Sequence, residues 1–215
     1  MRMIFKRIAT LTLLFITVGF FITPASAKRE SIQLTPEQSA AVDEVETYFN
    51  AFQTLSGTFT QLGDSGNITS GNVIISKPGK MRFEYAEPNP YVVISDGTWV
   101  AIVNRKKQSA DQYPLSTTPL RLLLSESMNL RKNAYILAAD IQDGLVTLRL
   151  QDRDQFVAGE LVLIYDTFNF ALRQWIVVDG QGKRTTISLD NLKLNVPADQ
   201  KLFYVNIKRR RQSKD

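Results

Sequence analysis

The feature that most constrains the fold is a short block of alternating apolar and polar residues placed between two turn sequences. Residues 81–85 read Met-Arg-Phe-Glu-Tyr. Period-two alternation is typical of a strand that buries one face and exposes the other. Lys77-Pro78-Gly79-Lys80 stands before the block and Asp96-Gly97 after it, and both are sequences that favour tight turns. The block therefore predicts sequential antiparallel strands that share one apolar face.

Before this block, the apolar residues recur with the period of a helix. Thr35 is suited to cap a helix, Pro36 to open it, and Gln38 to complete a capping box. We expect the helix to end at Gly57 and to lay its apolar face on another element. That face is formed at spacings of three and four by Val42, Val45, Phe49 and Phe52.

The rest of the chain returns to strand-like segments separated by glycine and proline turns. A second, short helix is predicted in the leucine-rich segment from Pro119 to Leu124, between two blocks of strands. Roughly ten strands and two helices predict an α+β fold that is mainly β, with one large curved antiparallel sheet and helices on its concave face. The strand candidates are Thr58–Leu62, Ile68–Ser76, Met81–Ala86, Tyr91–Ile94, Trp99–Val103, Leu145–Gln151, Gly159–Asp166, Ala171–Asp179, Thr185–Leu194 and Leu202–Ile207.

The N-terminus has the three parts of an export signal. A basic start is followed by an apolar run over residues 8–22 and by the small-residue cleavage sequence Pro24-Ala25-Ser26-Ala27. An uncleaved membrane anchor is the alternative, but the run is short for a spanning helix. We expect residues 1–27 to be removed as a signal peptide and residues 28–207 to form one domain. The basic tail, residues 208–215, is either a solvated end or a segment attracted to anionic headgroups.

The side-chain inventory argues against catalysis. The chain has no histidine and no cysteine, which removes the usual ligands of zinc and copper and the usual base for a serine nucleophile. Gly63-Asp64-Ser65-Gly66 resembles the surroundings of such a serine but is better explained as a turn. Asp152-Arg153-Asp154 offers two carboxylates without a third ligand nearby, so we expect a solvated turn there. We expect no catalytic residue, no metal and no cofactor.

The apolar content is harder to dismiss than these motifs. Aromatic residues make up 10% of the chain, which is many for one exported domain. They either form an ordinary core, or line a groove that the helices leave unfilled on the curved sheet. A sequence does not separate core-packing from groove-lining residues, so both arrangements stay open.

In order and spacing, these segments resemble the LolA family of periplasmic lipoprotein carriers. The shared marks are Phe59-Thr60-Gln61 after the first helix, an apolar strand leading to Lys77-Pro78, the alternating residues 81–85, and the sequence from Ser95 to Trp99. The leucines that follow Pro119 fall where that family has a lid helix. The resemblance implies an unclosed half-barrel whose concave face is covered by an N-terminal helix and a short lid helix, with an apolar cavity beneath the lid.

The resemblance also implies which residues form the site. The lid is expected to contain Leu120, Leu122, Leu123 and Leu124. The family often has an arginine before the turn proline that ties down the lid, and here that position is Lys77. Lys77 is therefore the candidate latch or, alternatively, a solvated turn lysine. The acyl-chain cavity is expected to be lined by Phe49, Phe52, Phe59, Val73, Ile75, Met81, Phe83, Tyr85 and Trp99.

The function implied by the resemblance is that of a non-enzymatic periplasmic chaperone. It would shield the acyl chains of lipoproteins and carry them from the inner to the outer membrane. The expected partners are acylated lipoproteins, an inner-membrane lipoprotein-releasing ABC transporter, and an outer-membrane receptor or the outer membrane itself. The protein is expected to be a monomer and to bind no nucleic acid. Three alternatives stay open: an envelope stress sensor or regulatory lipid-binding module, a carrier of free lipids, and, last, an exported hydrolase.

Overall fold

The computed structural model describes residues 30–205 of the chain. The expected signal peptide, residues 1–27, and the expected basic tail, residues 208–215, lie outside the described residues. The described part forms one antiparallel sheet of eleven strands with three α-helices and two 3-10 turns. The predicted fold class, α+β and mainly β, is confirmed.

The sheet consists of two meanders joined through their first and last strands. Its strands are β1 Thr54–Leu62, β2 Ile68–Ser76, β3 Lys80–Tyr85, β4 Tyr91–Asp96, β5 Trp99–Asn104, β6 Ser109–Pro114, β7 Ala134–Gln142, β8 Leu145–Asp152, β9 Glu160–Asp166, β10 Leu172–Val178 and β11 Arg184–Leu194. The spatial order is β6-β5-β4-β3-β2-β1-β11-β10-β9-β8-β7. Strands β6 and β7 are therefore the two edges, and the sheet is an unclosed half-barrel.

The N-terminal helix α1, Pro36–Asn50, begins as the sequence predicts but ends earlier. Thr35 and Gln38 form the capping box, and α1 stops at Asn50 with Ala51 as its C-cap. The predicted end at Gly57 is wrong, because Gly57 lies inside β1 where the pairing with β11 is irregular. A Cβ on Gly57 would lie 2.6 Å from the backbone oxygen of Asp190. The glycine is therefore needed for close approach of two strands and not to stop a helix.

The register of the strands defines a concave apolar face. Val73, Phe83, Val93 and Ile102 are successive Cα partners across β2, β3, β4 and β5, so their side chains point to one face. Helix α1 packs on this same face, with Val42, Val45 and Phe49 in a common core with Val73 and Phe83. The expected position of the first helix is confirmed.

Residues 115–133, here called the crossing segment, run across the concave side. They connect β6 to β7, and these strands are the opposite edges of the sheet, so the connection has to span its open side. The segment contains a 3-10 turn, Leu115–Thr117, and two single-turn helices, α2 Leu120–Leu123 and α3 Leu130–Asn133. The second predicted helix is thus present as α2, whereas α3 and the strands β6 and β7 were not predicted.

The opposite, convex face carries a smaller apolar contact that the sequence did not indicate. Val92, Ile94 and Phe203 are buried there, outside the concave core. Phe203 ends a 3-10 turn, Gln200–Phe203, that packs against β3 and β4. The strand predicted from Leu202 is therefore wrong over its described residues, because a buried aromatic anchor ends a short turn there.

Candidate ligand-binding cavity

An apolar cavity lies between α2 and the concave face of the sheet. Its volume is about 270 Å³, just below the range of roughly 300–1,000 Å³ that is typical of small-molecule sites. Most of its wall is hydrocarbon, and its polar groups are few. The lining residues are Gln61, Met81, Phe83, Tyr85, Val93, Ile102, Leu120, Trp175, Val177, Thr185 and Ile187.

The floor of the cavity is a cluster of aromatic rings in edge-to-face contact. The centroid of Phe83 lies 4.7 Å from that of Phe59 and 5.7 Å from that of Trp175. Phe59 also meets Tyr85, with centroids 5.1 Å apart. Such pairs favour fixed ring orientations. The floor is therefore held firmly, and Met81 is the flexible side chain beside it.

Tyr85 places a hydroxyl at the polar part of the wall. This hydroxyl bonds to Oε1 of Gln61 at 2.5 Å, and burial raises the pKa of Tyr85. The phenol therefore stays neutral at physiological pH and donates to Gln61. This bond satisfies the buried phenol hydroxyl within a mostly apolar surface.

The structure separates the expected cavity residues into three groups. Met81, Phe83 and Tyr85 line the cavity, and Phe59 lies directly behind them against both Phe83 and Tyr85. Trp99 is not among the lining residues and is 44% exposed. It alternates with Val100 and Ile102, which belong to the concave side, so it projects from the other face. The residues packed into the solid core are Phe49, Phe52, Val73 and Ile75.

The four expected lid leucines lie together but do different things. Leu120 lines the cavity and is only partly buried. Leu122, Leu123 and Leu124 are buried in the core that the crossing segment shares with the sheet. Leu120 therefore forms the α2 side of a cavity that is partly open to solvent, while the three leucines after it anchor α2.

Two sets of bonds hold α2 in place. The backbone N–H of Gly79, in the turn between β2 and β3, donates to the carbonyl of Leu124 at 2.7 Å. On the other side, the guanidinium of Arg121 bonds to both carboxylate oxygens of Asp152, with Nε at 2.6 Å and Nη2 at 3.0 Å, and Nη1 bonds to Asp154 at 3.1 Å. The bond to Asp152 raises the pKa of Arg121, so the guanidinium stays charged.

The Asp152–Asp154 turn is consequently not the solvated turn that was predicted. The side chain of Asp152 has no exposed surface, and Asp154 is about one-third exposed. Both carboxylates face the arginine of α2. A sequence shows the acidic pair but not its partner, which is 31 residues away from Asp152.

Lys77 is buried but is not directed at the crossing segment. Its Nζ donates to the carbonyl of Phe49 at 2.6 Å. The same atom lies 4.0 Å from the ring centroid of Phe49 and 4.2 Å from that of Phe52. Burial lowers the pKa of Lys77 to about 8. Lys77 thus caps the end of α1 and lies over the rings of Phe49, in α1, and Phe52, just after it. The turn contacts the crossing segment through the Gly79 backbone.

The far end of the crossing segment is bound to the polar side of α1. The amide of Asn50 exchanges two bonds with the backbone of Met128, at 2.7 and 3.0 Å. The carboxylate of Glu46 accepts from the backbone N–H of Leu130 at 2.6 Å. These bonds fix the approach to α3 independently of α2.

A second hollow lies on the other side of α2 and has a different character. It has a volume of about 420 Å³, and its wall combines polar residues, such as Arg121 and Asn133, with apolar residues, such as Leu122, Met128 and Leu130. Its wall is mixed in polarity and lacks the aromatic floor. The cavity under Leu120 is therefore the better site for a hydrocarbon ligand.

Within residues 30–205, no group of three or more acidic residues is placed to hold a metal ion. The same residues contain no helix long and apolar enough to cross a membrane.

An unclosed half-barrel with an apolar cavity on its concave face defines a class of folds, and the sequence assigns the chain within that class. The profile of the family described as outer membrane lipoprotein carrier protein LolA matches residues 50–206. The chain therefore belongs to the LolA family.

The chain is also similar, at low identity, to individual proteins. An outer-membrane lipoprotein carrier protein of Azotobacter vinelandii is 27% identical over 203 residues, which cover 89% of this chain and 91% of that protein. One from Xanthomonas oryzae is 28% identical over 170 residues, covering 73% and 79%. The crystal structure of a LolA superfamily protein from Nitrosomonas europaea is 10% identical, with a TM-score of 0.43 over 76% of this chain and 97% of that chain.

Proposed function

We propose that this protein is a periplasmic carrier that binds the acyl chains of lipoproteins in the cavity under α2 and moves them from the inner to the outer membrane. The observation that carries the proposal is the apolar cavity itself, with Met81, Phe83 and Tyr85 on its floor and Leu120 above it. Membership of a family described as lipoprotein carriers supports it. An inner-membrane transporter would supply the cargo, and an outer-membrane receptor or the membrane itself would take it.

The chemistry of the wall suits hydrocarbon and little else. Transfer of each methylene of an acyl chain out of water contributes about 0.8 kcal/mol. A site that captured whole chains at that rate would hold them too tightly to release. The flexible Met81 and the partly buried Leu120 allow the wall to adapt to chains of different shape.

The volume indicates that binding requires α2 to move. At about 270 Å³ the cavity is small for a ligand with several acyl chains. Closure of α2 on the same apolar surface competes with cargo, because every contact between Leu120 and the wall has to be exchanged for one with the ligand. This competition lowers the net affinity and makes delivery possible.

The test is to purify the protein from the envelope of its own cell and identify the bound molecules by mass spectrometry. The proposal predicts triacylated protein. Free phospholipid without lipoprotein would instead favour a carrier of free lipids. Absence of any acylated molecule from freshly isolated protein would remove the carrier function and leave a sensor or regulatory module.

A further inference from the structure

Arg121 ties α2 to the half of the sheet that lies beyond the open side. Helix α2 follows β6, the last strand of the first meander, whereas Asp152 ends β8 in the second meander. The three bonds from Arg121 to Asp152 and Asp154 therefore bridge the two meanders above the concave face. The planar fork of the guanidinium matches the Asp152 carboxylate with two parallel bonds, which lysine does not provide.

The acidic receptor for Arg121 is organised by its own backbone. Oδ1 of Asp152 accepts from the N–H of Asp154 at 2.8 Å, and Oδ1 of Asp154 accepts from the N–H of Phe156 at 3.0 Å. Each carboxylate therefore keeps its orientation by a local bond that does not involve α2. Such a receptor stays in place when the arginine leaves, so the contact is able to form again.

Helix α2 depends on such external bonds for its position. It has four residues and no side-chain cap, and a single isolated turn is not stable in water. The bonds of Asn50 and Glu46 hold the later part of the crossing segment, and the Gly79 bond holds the end of α2 at Leu124. Arg121 is the neighbour of Leu120, the residue by which α2 contributes to the cavity wall.

We propose that Arg121 is a positioning residue whose bonds to Asp152 and Asp154 hold Leu120 against the partly open cavity, and that release of these bonds widens the cavity for the ligand. This inference rests on the proposed function for its second half only. The closed position of α2 is a property of the protein without cargo and can be measured without it. If closure competes with binding, the apparent affinity equals the intrinsic affinity multiplied by the fraction of molecules in which the segment is open.

The test compares the purified protein with Arg121→Gln and Asp154→Asn by amide hydrogen exchange. We expect the amides of residues 122–124 to exchange about tenfold faster in Arg121→Gln, because the open population rises. Asp154→Asn leaves the buried Asp152 paired with Arg121, so it keeps the fold and should give a smaller change of the same sign. Arg121→Lys should restore part of the protection. The matched control is Arg173→Gln, which removes an exposed ion pair with Asp166 far from α2.

A second readout separates this inference from the proposed function. Binding of a dansyl-labelled fatty acid should become about fivefold tighter in Arg121→Gln, since less closure has to be reversed. Structural damage would weaken binding instead. Unchanged exchange in both variants would overturn the positioning role. Faster exchange with unchanged or weaker binding would overturn the gating step. If exchange is faster but neither the wild type nor any variant binds the fatty acid, the proposed function is overturned and the positioning role of Arg121 stands.

Discussion

Under α1 the concave face is filled, whereas under α2 it keeps an open volume. Phe49 and Phe52 of the α1 region are each 1% exposed and touch edge-to-face, with centroids 5.3 Å apart. At α2, Leu120 is only partly buried above a cavity of about 270 Å³. Apolar side chains thus fill the concave face under α1, whereas those near α2 leave a partly open volume.

The two regions also differ in how they are fastened. Helix α1 has fifteen residues, a capping box and a buried apolar stripe. Helix α2 has four residues, no side-chain cap and an ion pair of Arg121 that is one-third exposed. The difference indicates that the α1 region supplies stability while the α2 region supplies adaptability, and substitutions can test this division.

The largest effect is expected from truncating a ring under α1. Phe49→Ala should lower the free energy of unfolding by about 3–5 kcal/mol, because it leaves a cavity in a closely packed core. Leu120→Ala should lower it by about 1 kcal/mol, because its side chain already borders open volume. Urea denaturation of both variants measures the difference. Equal losses would remove the distinction between the two regions.

The next effect is a pH dependence of the α1 region that comes from Lys77. Burial lowers the pKa of Lys77 to about 8 in the folded protein, whereas an unfolded lysine titrates at about 10.4. Between these values the unfolded chain holds more protons, so the free energy of unfolding rises with pH through this window. The rise is on the order of 2 kcal/mol and should be absent in Lys77→Met.

This prediction is measured as the difference between two denaturation series. Tyr48 and Tyr85, whose pKa values burial raises, titrate in both proteins and largely cancel in that difference. The free energy of unfolding of the wild type should rise relative to that of Lys77→Met as the pH rises from 8 to 10. Parallel dependence of the two free energies on pH would show that burial does not lower the pKa of Lys77.

A smaller effect is expected on binding when the cavity is made polar. Ile102→Asn changes the polarity of the wall without adding charge and should weaken binding of a dansyl-labelled fatty acid about tenfold. Ile68→Asn is the matched control, because Ile68 is 71% exposed and does not line the cavity. Similar affinities for the two variants would place the ligand elsewhere.

The smallest effect should come from the polar part of the wall. Tyr85→Phe removes the bond to Gln61 and should lower the free energy of unfolding by about 1 kcal/mol, with little change in fatty-acid binding. Thermal denaturation and the same fluorescence titration measure both quantities. A large loss of binding would mean that the Tyr85 hydroxyl contacts the ligand.

Features encoded by neighbouring residues could be predicted from the sequence. The capping box of Thr35 and Gln38 located the start of α1. The alternation of Met81, Phe83 and Tyr85 placed them on one face, and the resemblance to the LolA family assigned that face to the cavity, which they line. Each signal is local, since the residues that create it lie within a few positions of one another. The bounds of β2, Ile68–Ser76, were also predicted correctly for this reason.

Two kinds of feature could not be predicted: contacts between residues distant in sequence, and the facing of strand residues where no polar–apolar alternation indicates it. Residues 99–103 are apolar throughout, so no alternation indicates that Trp99 faces away from the cavity. Gly57 resembles a helix stop until the strand at Asp190 is placed beside it. Arg121, the partner of Asp152, lies on the segment that crosses from one sheet edge to the other, and no local sequence pattern near either residue indicates the pairing.

The crossing segment is continuous with an edge strand at each end, β6 on one side and β7 on the other. It therefore has no free end about which it could rotate away from the sheet. Connection at both ends favours displacement of the middle of the segment away from the sheet over release of either end. Under the proposed function, a ligand would therefore enter beneath the middle of the segment, where α2 lies.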